Sequence, residues 1–252
     1  MTEKAKSYCE KFFGAKGLGL AETDPEFSDF FQNFAFDEVV NNDDLDDRTR
    51  MMAVLAALIG CQGLDTFEIV LPAALNAGVT PVEIKEIVYQ AVAYLGIGRV
   101  LPFINKTNEI FEERGIELPL PGQATTGRED RLEKGEQTQV DIFGDGMKGF
   151  ANSGPEESRH INRWLSDNCF GDYYTRTGLN DKEREMITFC FILAQGGCEN
   201  QLRGHTAGNF NVGNGKEKLY QIIEQCVPYI GYPRSLNAMN IVDEISLQYE
   251  NK

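Results

Sequence analysis

One pattern constrains this chain more than any other: it is written twice. Leu45-Asp-Asp-Arg-Thr-Arg50-Met-Met returns as Leu179-Asn-Asp-Lys-Glu-Arg184-Glu-Met, and each copy continues into an apolar run, a glycine-containing break and a second run of helical spacing. Gly78 and Gly213, Gly96 and Gly231, and Asn105 and Asn240 each stand 135 positions apart, whereas Arg50 and Arg184 stand 134 apart. The second copy therefore carries one extra residue near Gly196-Gly197. Landmarks held at a fixed offset mark a duplicated supersecondary unit.

Apolar residues recur at three- and four-residue intervals and no stretch sustains strand alternation, so the pattern predicts an all-α fold. The first repeat is expected over 1–115 and the second over 131–252. A linker marked by proline and glycine (Leu118-Pro-Leu-Pro-Gly) lies between them over 116–130. Short helices are expected from Lys4 to Phe13 and from Asp24-Pro25-Glu26, where proline takes a favoured first-turn position. Phe27, Phe30, Phe31 and Phe34 follow helical spacing and are expected in the core. Arg128 to Phe143 reads as a polar helix, and Ser158 to Asn168 as another.

Chemistry concentrates in one stretch of the second copy. Glu185 opens an apolar helical run that ends at Gly196-Gly197, and Cys198, Gln201 and His205 follow. Positions i, i+3 and i+7 share a helical stripe, so these three side chains are expected to face one way. Cys198 is expected in the first turn of its helix, where free N–H groups and the dipole favour a thiolate. Glu185 would face the same cleft if the helices fold back at the glycines. A thiol, an imidazole and a carboxylate in one place suit proton-coupled thiol chemistry. The plain alternatives stay open: cysteine is commonly a buried small hydrophobe, a histidine can be structural, and Glu185 can complement a helix dipole. In register with Cys198, His205 and Glu185 the first copy holds Gly63, Val70 and Met51, so one site per chain is expected.

Composition excludes several partners. With 24 basic against 39 acidic residues the net charge is −15. No Lys/Arg cluster exists for a phosphate backbone, so neither nucleic acid nor an anionic membrane surface is expected as a partner. No apolar run is long enough to span a bilayer. The start, Met1-Thr-Glu-Lys-Ala-Lys, lacks a signal peptide's apolar centre, and a cytoplasmic location is expected. The six cysteines include no C-x-x-C pair, and two histidines without clustered ligands argue against a metal site. No motif asks for a cofactor. Tyr173, Tyr174 and Trp164 could line a pocket, and Arg176 or Arg184 could grip a carboxylate, although ion pairs and core packing are the commoner fates of such residues.

The order Leu179-x-x-x-x-Arg-Glu, Gly-x-x-x-x-Leu-x-x-His205, Gly213, Tyr-x-Gly-x-Pro and Leu236-Asn237-Ala238 resembles the carboxymuconolactone decarboxylase family. So do Arg131-x-x-x-Gly135 with Phe143-Gly144 and the segment Phe170-Gly-Asp-Tyr-Tyr-Thr-Arg-Thr-Gly-Leu179. The resemblance implies two tandem six-helix repeats packed as a helical bundle and a homo-oligomer, with a trimer favoured. It also implies two chemistries. In the alkylhydroperoxidase D branch a C-x-x-C pair, a histidine and an upstream glutamate reduce peroxide. These map onto Cys198, His205 and Glu185, while Gln201 replaces the second cysteine. On that leading expectation Cys198 attacks a peroxide, His205 and Glu185 relay the proton and an external thiol reductant resolves the product. The second expectation is decarboxylation of a small lactone acid by His205 with an arginine; Gln201, Arg176, Tyr174 and Arg184 are the candidate substrate contacts. The third is a non-enzymatic helical oligomer with a vestigial site.

Overall fold

The computed structural model describes residues 1–14 and 17–250. Among them there is no strand, and the chain is all-α. Helices α1 (Glu3–Phe12), α2 (Pro25–Asn33), α3 (Asp47–Gly60), α4 (Leu64–Asn76), α5 (Pro81–Leu95) and α6 (Ile97–Glu113) form the first half. Helices α7 (Arg131–Phe143), α8 (Arg159–Trp164), α9 (Asp181–Gln195), α10 (Glu199–Asn211), α11 (Lys216–Ile230) and α12 (Tyr232–Glu250) form the second. Among the described residues no helix is long and apolar enough to cross a membrane.

Local chemistry sets the helix starts. Thr80 and Glu83 cap α5 reciprocally, as Asn180 and Glu183 cap α9. Helix α7 begins at Arg131 rather than Arg128, because the Asp130 carboxylate accepts from the Gly127 N–H at 2.7 Å and turns the chain there. The helix expected to end at Asn168 instead changes hydrogen-bond pattern. After α8 the chain continues as a π-helix, Leu165–Tyr174, and its counterpart in the first half is the π-helix Phe34–Val39. π-turns are uncommon and gather at functional sites.

The two halves share one core. Helices α3 and α9 are apolar almost all round and buried along most of their length, as central helices should be. They cross so closely that a Cβ on Gly60 would lie 2.6 Å from the Phe191 carbonyl oxygen. Around this crossing two arginines swap partners. Arg50 Nε on α3 donates to Gln225 Oε1 on α11 at 2.9 Å, and Arg184 Nη1 on α9 donates to Gln90 Oε1 on α5 at 2.6 Å. Gln90 and Gln225 are themselves 135 positions apart.

The phenylalanines of α2 depart from the expected core. Phe30 is 66% exposed, Phe27 is exposed too, and Phe31 and Phe34 are only half-buried. The face of α2 that turns inward is polar: Gln32 donates to Ser28 Oγ at 2.6 Å and accepts from the Cys9 thiol. Exposure repeats with the duplication. Phe27 and Phe30 have counterparts in Ile161 and Trp164, and Ile97 and Leu101 in Tyr232 and Leu236, all exposed. Trp164, at 56% exposure, lines no core.

Candidate active site

Glu185 lies one turn inside α9, past the first-turn position a dipole-complementing carboxylate would take, and is completely buried. Gly196 and Gly197 both adopt φ near +70°, a conformation costly for other residues, and let α10 fold back beside α9. His205 then faces Glu185, with Nδ1 2.9 Å from Oε2. Asn209 clamps the two helices, donating to the Glu185 carbonyl at 2.9 Å and to the His205 carbonyl at 2.8 Å. Gly208 leaves the carboxylate its room: a Cβ there would stand 2.5 Å from Glu185 Oε2 and 2.7 Å from Phe143 Cε1.

The second carboxylate oxygen, Oε1, accepts from Tyr174 at 2.7 Å. Tyr174 reaches it because α7 and the second π-helix cross at two glycines. A Cβ on Gly135 would lie 2.0 Å from the Ser166 carbonyl oxygen, and one on Gly171 2.1 Å from that of Arg131. A phenol has a single proton. Since Tyr174 gives its own to Glu185, it must accept from Thr188 at 2.8 Å and from Tyr94 at 2.9 Å. Thr188 in turn accepts from Gln90 Nε2 at 2.8 Å, and Tyr94 from the Cys169 thiol at 3.7 Å. Every bond of this network points toward Glu185. Burial pushes the Tyr94 and Tyr174 phenols well above their ordinary range, with neighbouring anionic groups adding to the effect. Burial likewise carries the Cys169 thiol up to about 12. These groups keep their protons at neutral pH and act as fixed donors.

His205 is gripped by rings. Tyr94 and Phe143 stand edge to face against it with centroids 5.3 and 5.5 Å away. Its side chain stays 11% exposed.

The other candidate residues lie elsewhere. Cys198 is the N-cap of α10, not a first-turn residue, and its sulfur accepts from Gln195 Nε2 at 3.0 Å. It lines a small recess with Leu202, Arg234 and Asn237, and no hydrogen bond joins it to His205 or Glu185. Gln201 is exposed on the outside of α10. Arg184 is fully buried and donates to Gln90, to Glu86 Oε2 at 3.1 Å and to the Arg176 carbonyl at 2.6 Å. Arg176 grips Glu86 through Nε and Nη2 at 2.8–3.1 Å. Both arginines are thus tied to one buried glutamate. Tyr173 lies in a shallow recess with Val92 and Ile97.

Comparison with known proteins places this arrangement. The sequence model of the carboxymuconolactone decarboxylase family matches residues 25–105 and 160–244, one segment in each repeat. The chain belongs to the carboxymuconolactone decarboxylase family. Within this family, the 4-carboxymuconolactone decarboxylase of Acinetobacter baylyi is 29% identical over 121 residues, covering 46% of this chain and 87% of that protein. A solved chain from Burkholderia xenovorans LB400, assigned as a gamma-carboxymuconolactone decarboxylase subunit, superposes with a TM-score of 0.57 at 21% identity. That match spans 98% of this chain and 97% of the other and supports the fold alone.

In this family member the first copy holds Met51 and Val70, both buried and apolar, where the second holds Glu185 and His205. It contributes all the same, because Gln90 and Tyr94 of α5 enter the second copy's network. Sequence reasoning did not place Tyr94 in the site. Nor did it assign Thr188, Asn209, Gly208 or Phe143 to the site. Thr188 stands three positions after Glu185 on α9, which is the one signal that could have drawn attention to it.

Proposed function

We propose that the chain decarboxylates a small lactone carboxylic acid of the 4-carboxymuconolactone kind, with His205 as the proton donor. The observation that carries this reading is the pairing of His205 Nδ1 with a sealed glutamate that also accepts from Tyr174. In that arrangement Glu185 only accepts, and His205 Nδ1–H is held toward it, so the proton for exchange resides on Nε2. Decarboxylation breaks the bond between the ring carbon and the carboxylate. Carbon dioxide leaves, and the electron pair passes into the unsaturated lactone. His205 Nε2–H then protonates the carbon, and water returns a proton to Nε2, so that one proton is consumed for each CO2 released. Glu185 keeps the ring in one tautomer and balances the imidazolium, and the Tyr94–Tyr174–Thr188 donors hold Glu185 in turn.

The thiol chemistry expected first rests on Cys198, which has neither a second cysteine at position 201 nor a bond to His205. The names of the matched family and relative favour carbon–carbon cleavage and support decarboxylation over the peroxide reading. The test is CO2 release from 4-carboxymuconolactone. His205→Gln and Glu185→Gln are each expected to lose about a hundredfold or more in kcat with unchanged circular dichroism, the usual scale of general acid–base catalysis. Cys198→Ala is expected to keep wild-type turnover. No CO2 from the wild type, or a Cys198-dependent loss of hydrogen peroxide, would sink the proposal.

A further inference from the structure

Lys85, on α5, is only 5% exposed, yet no described carboxylate forms an ion pair with it. Its Nζ donates to Asn108 Oδ1 on α6, and the rings of Tyr89 and Phe111 stand 5.6 and 5.7 Å away. Taking an ammonium out of water costs several kcal/mol unless an anion compensates it. Here burial alone acts on the amine and holds it below the usual lysine range. Lys85 is thus a buried cation held by an amide oxygen and two rings, with no carboxylate opposite it.

The charge borders a cavity of about 500 Å³ between α5, α6 and the segment 118–123, within the range of small-molecule sites. Arg176 forms another wall. Glu86 also lines the cavity but is already bound by both Arg176 and Arg184. Two cations, Lys85 and Arg176, thus line the cavity beside one carboxylate that two arginines already hold, in a chain whose net charge is −15. An apolar wall is formed by Val82, the ring of Tyr89 and the run Leu118-Pro-Leu-Pro121, and Asn108 and Gln123 add polar groups to the lining. Lys85 is peculiar to the first repeat, since Tyr220 stands 135 positions on. The duplication therefore does not account for this cation.

We propose that this cavity binds a small organic carboxylate, its anionic group paired with Lys85 and its carbon body against Tyr89 and the linker prolines. The site is separate from the Glu185–His205 pair and stands whether or not the chain is a decarboxylase.

Isothermal titration with benzoate, succinate and phenylacetate tests it, with benzamide and inorganic phosphate as controls. At least one of the three acids is expected to bind saturably at one per chain. Benzamide and phosphate should bind at least about tenfold more weakly, the scale of one charge-assisted hydrogen bond. Lys85→Met should weaken the acid by about the same factor, while His205→Gln leaves it unchanged. No saturable binding by any of the three, equal binding of benzamide or phosphate, or full affinity in Lys85→Met overturns the proposal. If Lys85→Met fails to fold, acetylation of Lys85 in the wild type replaces it. Saturating acid should slow that labelling at least tenfold, and unchanged labelling overturns the proposal.

Discussion

Tyr94 and His205 belong to different repeats, yet their rings meet edge to face at 5.3 Å. The active histidine candidate of the second copy is therefore held in part by the first. Tyr94→Phe keeps that ring contact and removes the hydroxyl that donates to Tyr174 and accepts from Cys169. It is expected to cost about 1 kcal/mol in urea unfolding, the net worth of one hydrogen bond, and to lower decarboxylase turnover less than His205→Gln does. Tyr94→Ala also leaves a cavity beside Phe191 and His205 and should cost about 3–5 kcal/mol.

Gly208 gives a sharper probe of Glu185. An added methyl must displace either the carboxylate or the Phe143 ring. Gly208→Ala is expected to reduce turnover well beyond any loss in melting temperature, and to change the His205 Nδ1 nitrogen shift in an NMR spectrum. Gly204→Ala is the matched control, because its Cβ would meet nothing within 4 Å. In mid-helix it should stabilise the protein by up to about 1 kcal/mol.

The acid limb of stability has identified sources. Burial raises the carboxyls of Asp46 and Glu83, but hydrogen bonds from Thr49 to the first, and from Arg48 and Thr80 to the second, outweigh it. Both end below their ordinary values. The folded state therefore binds fewer protons than the unfolded one. The stabilisation is complete above the ordinary carboxylate value near pH 4, and is lost as pH falls through the lower folded values. Urea unfolding between about pH 5 and 2 should show a shallower acid decline in Asp46→Asn and Glu83→Gln than in the wild type. Equal slopes would contradict the assignment.

Thiol labelling should sort the six cysteines. Burial carries Cys169 up to about 12 and Cys190 well above the ordinary thiol, so both should resist iodoacetamide at pH 8 until the chain unfolds. Cys198, half-buried at the mouth of its recess, should be modified first. Modification of Cys198 that leaves CO2 release intact would separate it from the Glu185–His205 chemistry.

The doubled exposed pairs, Phe30 with Trp164 and Leu101 with Leu236, are apolar surface of the kind that copies of a chain cover by association. Light scattering is expected to give a mass above one chain, and Phe30→Glu with Trp164→Glu is expected to lower it. A wild-type monomer would leave these side chains without that role.

How much of this was readable beforehand follows from the physics of each signal. The duplication and the helical class are written as fixed offsets and local periodicity, which need no tertiary knowledge. The Glu185–His205 meeting was readable because a glycine pair marks the fold-back and both residues belong to adjacent helices. Tyr174 was only one candidate among several aromatics, because a π-turn breaks the 3.6-residue period from which its direction would be inferred. Tyr94 was out of reach, since it arrives from the other repeat. Cys198 and His205 are spaced for one helical stripe, yet Cys198 is the N-cap and its sulfur accepts from Gln195. The phenylalanines of α2 misled because periodicity reports a face without saying what covers it.

The swapped arginines carry a consequence of another kind. Arg50 and Arg184 are each buried, and each finds a carboxamide only in the opposite repeat, through Gln225 and Gln90. A half expressed by itself would strip its buried guanidinium of the carboxamide partner and leave its central helix in water. The duplication thus works as a ratchet: once the two copies traded partners, neither could return to a separate life. Two fragments cut within residues 114–130 should accumulate as folded protein only when made together in the same cell.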